Sequence, residues 1–177
     1  MPSIEIGQIT ITAQESLPEE VSGGTTFQPN LHVDLSESEI AKLLGGPMLT
    51  LGDVPTGLED QGYKVLIVKR TDVNEWAQIV HHFAPADGVR AKDLRRVVYS
   101  LKPLPESSTT VEVPAEPSKV AVRSRQGALV EVEYGGYDNV PFNRSTTVYW
   151  EEDGYWASLC GVEFPPAQVV ELADKLS

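Results

Sequence analysis

The feature that most constrains this chain is a hairpin signal at residues 149–161, where the sequence reads YWEEDGYWASLCG. Asp153 and Gly154 are among the strongest two-residue turn pairs, because both accept the positive φ angles of the tight turns that join antiparallel strands. With these two residues as the turn, Glu152 opposes Tyr155, and each further pair follows by counting. The sequence therefore predicts two antiparallel strands whose register is set by the turn.

This register divides the predicted hairpin into two faces of different character. One face is almost wholly apolar near its middle and is expected to lie in the core against a C-terminal helix; it holds Val148, Trp150, Ala157 and Leu159. The other face is amphipathic, and aromatic rings with polar tips are typical of a ligand groove or an interface. The alternative for this face is a second, smaller core under residues 104–119 or under the N-terminal segment. The candidate ligand- or partner-binding residues on it are Tyr149, Glu151, Trp156 and Cys160, with Ser158 between them.

Other stretches of the chain show the alternation of β-branched and polar residues that predicts strands. They lie at residues 4–12, 31–35, 63–70, 93–101, 119–124, 128–134 and 145–152, with a short edge strand at 111–113. Residues 72–83 fit two structures. Read as a helix, they place Trp76, Ile79, Val80 and Phe83 on one side; we favour a strand, because the surrounding chain is rich in strands.

Two helices are predicted, one in each half of the chain. Ser36 and Glu39 form a capping box for a short helix over residues 36–44, and Gly45 ends that helix. Pro166 suits the first turn of a closing helix. The apolar stripe of the closing helix consists of Val169, Leu172, Ala173 and Leu176.

These elements predict an α+β fold: a curved antiparallel sheet of about eight strands, a C-terminal helix packed on one face and one short helix in the N-terminal half. The 177 residues suffice for one ordinary domain. We assign the sheet and the C-terminal helix to residues 51–177. Residues 1–50 form an acidic N-terminal segment, with strands and the helix at 36–44, that is either integral to this domain or appended to it.

Charge is unevenly distributed along the chain, whose formal net charge is −12. Residues 1–60 hold ten carboxylates and one lysine, which gives −9, and residues 61–177 hold sixteen carboxylates and thirteen basic side chains, which gives −3. An acidic chain repels phosphate, so a nucleic-acid partner is not expected. The largest basic cluster either faces solvent, meets an acidic partner or meets the acidic N-terminal segment; it consists of Arg90, Lys92, Arg95, Arg96 and Lys102.

Motifs for catalysis, metal binding and cofactor binding are not recognisable in the sequence. His32 stands alone, and His81 and His82 are adjacent, so they cannot share one face of a strand. Cys160 has no basic neighbour in sequence that would activate it as a nucleophile. We therefore expect no enzyme, no metal and no cofactor. An enzyme that uses His81 or His82 would need a cleft holding that histidine beside a buried carboxylate.

Targeting signals are also not apparent. No apolar run approaches the roughly 18 residues that span a bilayer. The opening MPSIEIGQITIT lacks the basic start and continuous apolar core of a signal peptide. The sequence as written predicts a cytoplasmic protein, or an extracytoplasmic one if the chain is a fragment whose anchor was removed.

The C-terminal elements follow a recognisable order: an apolar strand ending in Trp-Glu, an acidic-Gly turn, an aromatic return strand and a helix ending in Leu-Ala-x-x-Leu. Here these are Trp150-Glu151, Asp153-Gly154, Tyr155-Trp156 and residues 172–176. This order resembles bacterial domains related to periplasmic lipoprotein carriers and to the sensor domains of sigma-factor regulators. The resemblance implies a curved antiparallel sheet that wraps a helix, a concave apolar or partner-docking surface, no catalysis and an extracytoplasmic location.

Two functions are compatible with these features. We expect a non-enzymatic binding or sensor domain that contacts a lipid-like ligand or a protein partner through the amphipathic sheet face. The alternative is a structural subunit of a larger complex, such as a phage particle, that docks through its acidic N-terminal segment by strand addition. A groove on the sheet face away from the C-terminal helix would favour the first function, and complete covering of that face by the chain's own loops would argue against it.

Overall fold

The computed structural model describes residues 2–14, 31–70, 73–90, 92–134 and 143–177. Within these residues the chain forms eleven strands and two α-helices, with a 3-10 turn at Asp87–Val89. In chain order they are β1 (Ser3–Ile6), β2 (Ile9–Ala13), β3 (Leu31–Leu35), α1 (Glu37–Leu44), β4 (Glu59–Arg70), β5 (Val73–Ala84), β6 (Arg96–Pro103), β7 (Thr109–Val113), β8 (Ser118–Val122), β9 (Arg125–Tyr134), β10 (Asn143–Glu152), β11 (Tyr155–Val162) and α2 (Pro166–Asp174).

Eight of these strands form one antiparallel sheet in the order β3-β4-β5-β6-β11-β10-β9-β8. The sheet is open, with β3 and β8 at its edges. The α+β class, the sheet of about eight strands and the C-terminal helix on one face are therefore confirmed. The predicted hairpin register is also confirmed, since Glu152 pairs with Tyr155 and Val148 with Leu159 in β10 and β11.

The strand favoured for residues 72–83 is confirmed as β5, and the helical alternative is wrong. Its misleading period has a local cause. A shift in register beside Ile67 brings Trp76, rather than Ala77, to the side of the sheet that Ile79 occupies. Because of this irregularity, Trp76 and Ile79 on one side of the strand are three residues apart and not two. A spacing of three residues is also that of one face of a helix, so the sequence pattern resembles a helix.

Both helices pack on the same side of the large sheet, where the main core lies. The apolar hairpin face predicted from the sequence is buried there, and Ile40 of α1 and Val169 of α2 belong to the same cluster. The capping box of α1 is present, because the backbone N–H of Glu39 and the hydroxyl oxygen of Ser36 form a 3.3 Å hydrogen bond and the Glu39 carboxylate accepts from the Ser36 N–H at 2.8 Å. Gly45 ends α1 in the left-handed conformation, with φ of 73°.

A second sheet, of order β1-β2-β7, covers part of the opposite side of the large sheet. The sequence pattern predicted a single strand over residues 4–12, and this is wrong. Gly7 adopts φ of 58° and turns the chain back, so that β1 and β2 form a hairpin. Strand β2 then pairs in parallel with β7, and β3 pairs with β4, so the described N-terminal elements share both sheets with the rest of the chain.

The second sheet builds a second core against the large sheet. Its apolar side chains meet Trp156 of β11 and two residues of β9. The members of this cluster are Ile4, Ile6, Ile9, Ile11, Val113, Ala128, Val130 and Trp156. The described residues therefore form three layers, namely the helices, the large sheet and the small sheet.

Candidate functional site

The helix-free side of the large sheet carries the second face of the β10–β11 hairpin. At one end of this face, Trp156 is only 6% exposed because the second sheet covers it. The ring of Tyr149 stacks on that of Trp156, with centroids 5.6 Å apart and planes 15° apart. This end of the face is the smaller core that the sequence left open as an alternative.

Glu151 lies on the same face but beside the β1–β2 turn. A Cβ atom built on Gly7 would approach its Oε2 to 2.7 Å, so the turn and the Glu151 carboxylate are close neighbours. Only a residue without a side chain fits at this point of the turn without displacing the carboxylate. Glu151 therefore contacts the second sheet, whereas Cys160 lies further along the hairpin.

Cys160 lines a groove of about 280 Å³ at the boundary of the second sheet. Strand β6 lies beside β11 and supplies one wall, since Ser100 pairs with Ser158 and Val98 with Cys160. The Nε2 of Gln78 donates to the buried Ser100 hydroxyl over 2.6 Å. The complete lining is Gln78, Val98, Ser100, Lys102, Thr147, Tyr149, Trp156, Ser158 and Cys160.

The groove adjoins a wider surface on the helix-free side of β3 to β6, which we call the open face and which shares Val98 and Lys102 with the groove. Leu66, Val80 and Val98 are half-buried there, and they belong to neither of the two cores. Around them stand three exposed basic side chains, none of which makes a salt bridge to a described residue: Lys64, Arg96 and Lys102. Strand pairing also places Asp34 and Glu75 toward the margins of this side.

His82 lies on the open face, where it pairs with Val98 of β6. Its pKa is lowered below the ordinary value of 6.5, first by partial burial and then by the charges of Arg96, Arg90 and Lys64, with a smaller effect of His81. The protonated form of an imidazole is disfavoured both by lost hydration and by nearby cations. An anionic partner on this surface would act in the opposite direction and raise the pKa of His82.

The basic cluster predicted from the sequence is divided by the fold. Arg90 pairs with Asp87 at 2.9 Å, and Arg95 pairs with Asp93 at 2.7 Å. These two cations are thus neutralised by neighbours in sequence, whereas Arg96 projects from β6 on the open face.

His81 lies on the other side of β5, in the main core, and is 1% exposed. Its Nε2 is 2.9 Å from Oδ1 of Asp60, and its Nδ1 is 3.4 Å from Oγ1 of Thr50. The ring stacks on Tyr63, with centroids 4.0 Å apart. A histidine stands beside a carboxylate here, but the Asp60 side chain is 58% exposed while the imidazole is closed to solvent. Both ring nitrogens of this buried imidazole therefore have hydrogen-bond partners within the chain.

A larger cavity, of about 510 Å³, lies between α2 and residues 53–56. The charged side chains of its lining already have partners. Lys175 contacts Glu171 at 2.8 Å and Asp53 at 3.5 Å, and Glu163 accepts a hydrogen bond from the backbone N–H of Arg144 at 3.1 Å. The side chains of this cavity that could bind a charged ligand are therefore already engaged within the chain.

Lys64, Leu66, Gln78, Val80 and Ser100 were not identified as site residues from the sequence. Their only sequence signal is alternation within each strand. Alternation indicates which residues of one strand share a side of the sheet. That signal does not tell which strand lies beside β11. The pairing of β6 with β11 decides that Ser100 meets Ser158.

A scan of known protein families, a search of curated proteins and a search of solved structures each find no match to this chain. In the described ranges, no helix combines the length and apolar character needed to cross a membrane. The same ranges contain no group of three or more His, Cys, Asp or Glu side chains suited to holding a metal ion.

Proposed function

We propose that this protein is a non-enzymatic binding domain whose open face binds an acidic surface of a protein partner. The observation that carries the proposal is the exposure of Lys64, Arg96 and Lys102 on one side of the sheet in a chain of net charge −12. In so acidic a chain, basic side chains that pair with none of the described carboxylates remain available to a complementary partner.

The apolar part of the open face supports a protein partner. Leu66, Val80 and Val98 are half-buried between the basic side chains. Protein interfaces commonly combine an apolar centre with a charged, solvent-accessible rim. Charged residues at the rim mainly speed association and select the partner, whereas apolar contacts slow dissociation.

The polarity of the neighbouring groove favours a protein over a lipid-like ligand. Its walls include the hydroxyls of Thr147 and Ser158, beside the hydrogen-bonded pair Gln78 and Ser100. Burial of an acyl chain against these hydroxyls would remove the water that hydrates them, which costs free energy. The backbone and side chains of a peptide can pair with them. The resemblance to lipoprotein carriers and sensor domains implies either a concave apolar surface or a partner-docking surface, and the polarity of the groove favours the second.

An assembly role for the N-terminal segment has less support. Ile4, Ile6, Ile9 and Ile11 are buried against the large sheet. These apolar side chains of β1 and β2 therefore pack within the chain itself and are not exposed to a neighbouring subunit.

The test is a titration of the isotope-labelled full chain, followed by NMR, with a peptide in which glutamate alternates with valine. We expect shift changes centred on Leu66, Val80 and Val98, with weaker binding at about 500 mM salt than at about 20 mM because screening weakens contacts between exposed charges. The double variant Arg96→Glu/Lys102→Glu should bind at least about tenfold more weakly. Shift changes confined to the edge strands β3 and β8 would contradict the proposal.

The matched control is Lys42→Glu/Lys92→Glu, which makes the same change in net charge at exposed positions, one of them on α1. Equal weakening in both double variants would mean that the peptide responds to overall charge and not to the open face. A third variant replaces Glu15, Glu19 and Glu20 with glutamine. If it changes the shifts of the open face in the free protein and tightens peptide binding, the acidic N-terminal segment is the occupant and the partner proposal fails.

A further inference from the structure

A cavity of about 200 Å³ lies on the helix side of the large sheet, away from the open face. It opens between the C-terminal end of α1 and the Asp153-Gly154 turn. Tyr155 closes one side by donating its hydroxyl to the carbonyl of Leu44 over 3.4 Å. The lining residues are Leu44, Gly45, Gly46, Pro47, Met48, Leu49, Tyr99, Leu101, Glu152, Asp153 and Tyr155.

Tyr99 lines this cavity with a buried side chain. The residue is 1% exposed, and its hydroxyl has no hydrogen-bond partner among the described residues. Its ring stacks on Trp150, with centroids 6.1 Å apart, which fixes the direction of the phenol. A buried polar group without a partner costs free energy, so native structures rarely leave one without a ligand, water or function.

The Glu152 side chain, which also lines the cavity, already has hydrogen-bond partners. The Glu152 carboxylate accepts hydrogen bonds from Trp150 at 2.6 Å and from Arg123 at 2.7 Å. Burial raises the pKa of Tyr99, and the charge of Glu152 raises it further. The Tyr99 hydroxyl therefore stays protonated at physiological pH and is available as a donor.

We propose that this cavity binds a small, largely apolar molecule that presents one hydrogen-bond acceptor to the hydroxyl of Tyr99. The lining is mainly aliphatic and aromatic, which favours an uncharged body. A cavity of about 150 Å³ lined by apolar side chains accepts benzene, so the volume here suits one aromatic ring with a short substituent. This site is independent of the open face, because it lies on the opposite side of the sheet and shares no residue with the basic surface.

The experiment compares two probes of nearly the same shape on the full chain, acetophenone and ethylbenzene, by NMR titration. Acetophenone carries a carbonyl acceptor and ethylbenzene carries none. We expect acetophenone to shift the backbone N–H signals of residues 45, 46, 48, 49 and 153–155. The Tyr99→Phe variant, which removes only the hydroxyl, should bind acetophenone roughly three- to tenfold more weakly, the equivalent of one hydrogen bond. Ethylbenzene should bind both proteins equally.

The following results would overturn the proposal. They are equal acetophenone affinity in the wild type and Tyr99→Phe, shift changes that lie away from residues 44–49 and 153–155, and no binding of either probe, in which case the cavity holds only water. A second variant, Leu49→Trp, fills the cavity from its wall and should abolish binding of both probes. Unchanged binding in that variant would place the probes elsewhere and would likewise overturn the proposal.

Discussion

Trp150 donates its indole N–H to the Glu152 carboxylate over 2.6 Å, and both side chains are buried. The same carboxylate accepts from Arg123, whose Nη1 donates to the carbonyls of Ala173 and Leu176 at 3.2 and 2.7 Å. One carboxylate thus ties the β10–β11 hairpin, the β8–β9 turn and the end of α2 together. Charge-assisted hydrogen bonds of this kind are stronger in a site that excludes water.

Removal of this carboxylate should be costly. We expect Glu152→Ala to lower the free energy of unfolding by about 3 kcal/mol, because the Trp150 N–H and the largely buried Arg123 guanidinium lose their common acceptor. Urea denaturation measures the change. The control is Glu133→Ala, whose carboxylate pairs with Arg144 at 3.0 Å on the surface, and it should change stability by less than about 0.5 kcal/mol. Similar losses of stability in Glu152→Ala and Glu133→Ala would contradict the stabilising role of the Glu152 carboxylate.

Gly161 allows β11 to lie close to α2. A Cβ atom built there would lie 2.7 Å from Cγ2 of the buried Val169 and 3.4 Å from two atoms of Phe164. We expect Gly161→Ala to cost about 1–3 kcal/mol through overpacking, measured by thermal unfolding. At Gly88 an added Cβ meets nothing within 4 Å, so Gly88→Ala should leave stability unchanged or slightly raised. If Gly161→Ala does not change the free energy of unfolding, α2 can move away from β11 without loss of stability.

His82 should make stability depend on pH. Its pKa is lowered in the folded protein by burial and by Arg96, Arg90 and Lys64. The unfolded chain therefore binds more protons below pH 6.5, and the folded state loses stability as the pH falls through that region. As the pH falls from about 7.5 to about 5.5, we expect the free energy of unfolding of His82→Gln to rise relative to that of the wild type. Denaturation at several pH values measures this difference, and a difference independent of pH would refute the expectation.

Ile11 tests the second core. It is fully buried between the two sheets, whereas the neighbouring Thr12 points to the other side of β2 and is half-buried. Ile11→Ala should cost roughly 2–4 kcal/mol through the cavity that it leaves, and the fluorescence of Trp156 should shift toward that of an exposed indole. Thr12→Ala should cost much less. If both variants leave stability and fluorescence unchanged, β1 and β2 are not coupled to the large sheet.

Much of the local structure was predictable because it depends on neighbours in sequence. The turn at Asp153-Gly154 fixed the register of β10 and β11, since a two-residue turn allows one pairing. The capping box at Ser36 and Glu39 marked the start of α1 for the same reason. The hairpin at Gly7 was missed because β-branched residues on both sides of it continue the strand pattern.

The sequence alone determined most of the elements, the register of the β10–β11 hairpin and the start of α1, because φ preferences, caps and side-chain alternation act within a few residues. Only the tertiary structure decided which strands are neighbours. The pairing of β6 with β11 brings Lys102 beside Trp156 and Val98 beside Cys160. The second sheet then covers Trp156 and stops before Cys160. These contacts join residues far apart in the chain, and they are chosen by the burial of apolar area over the whole molecule, which no local pattern encodes.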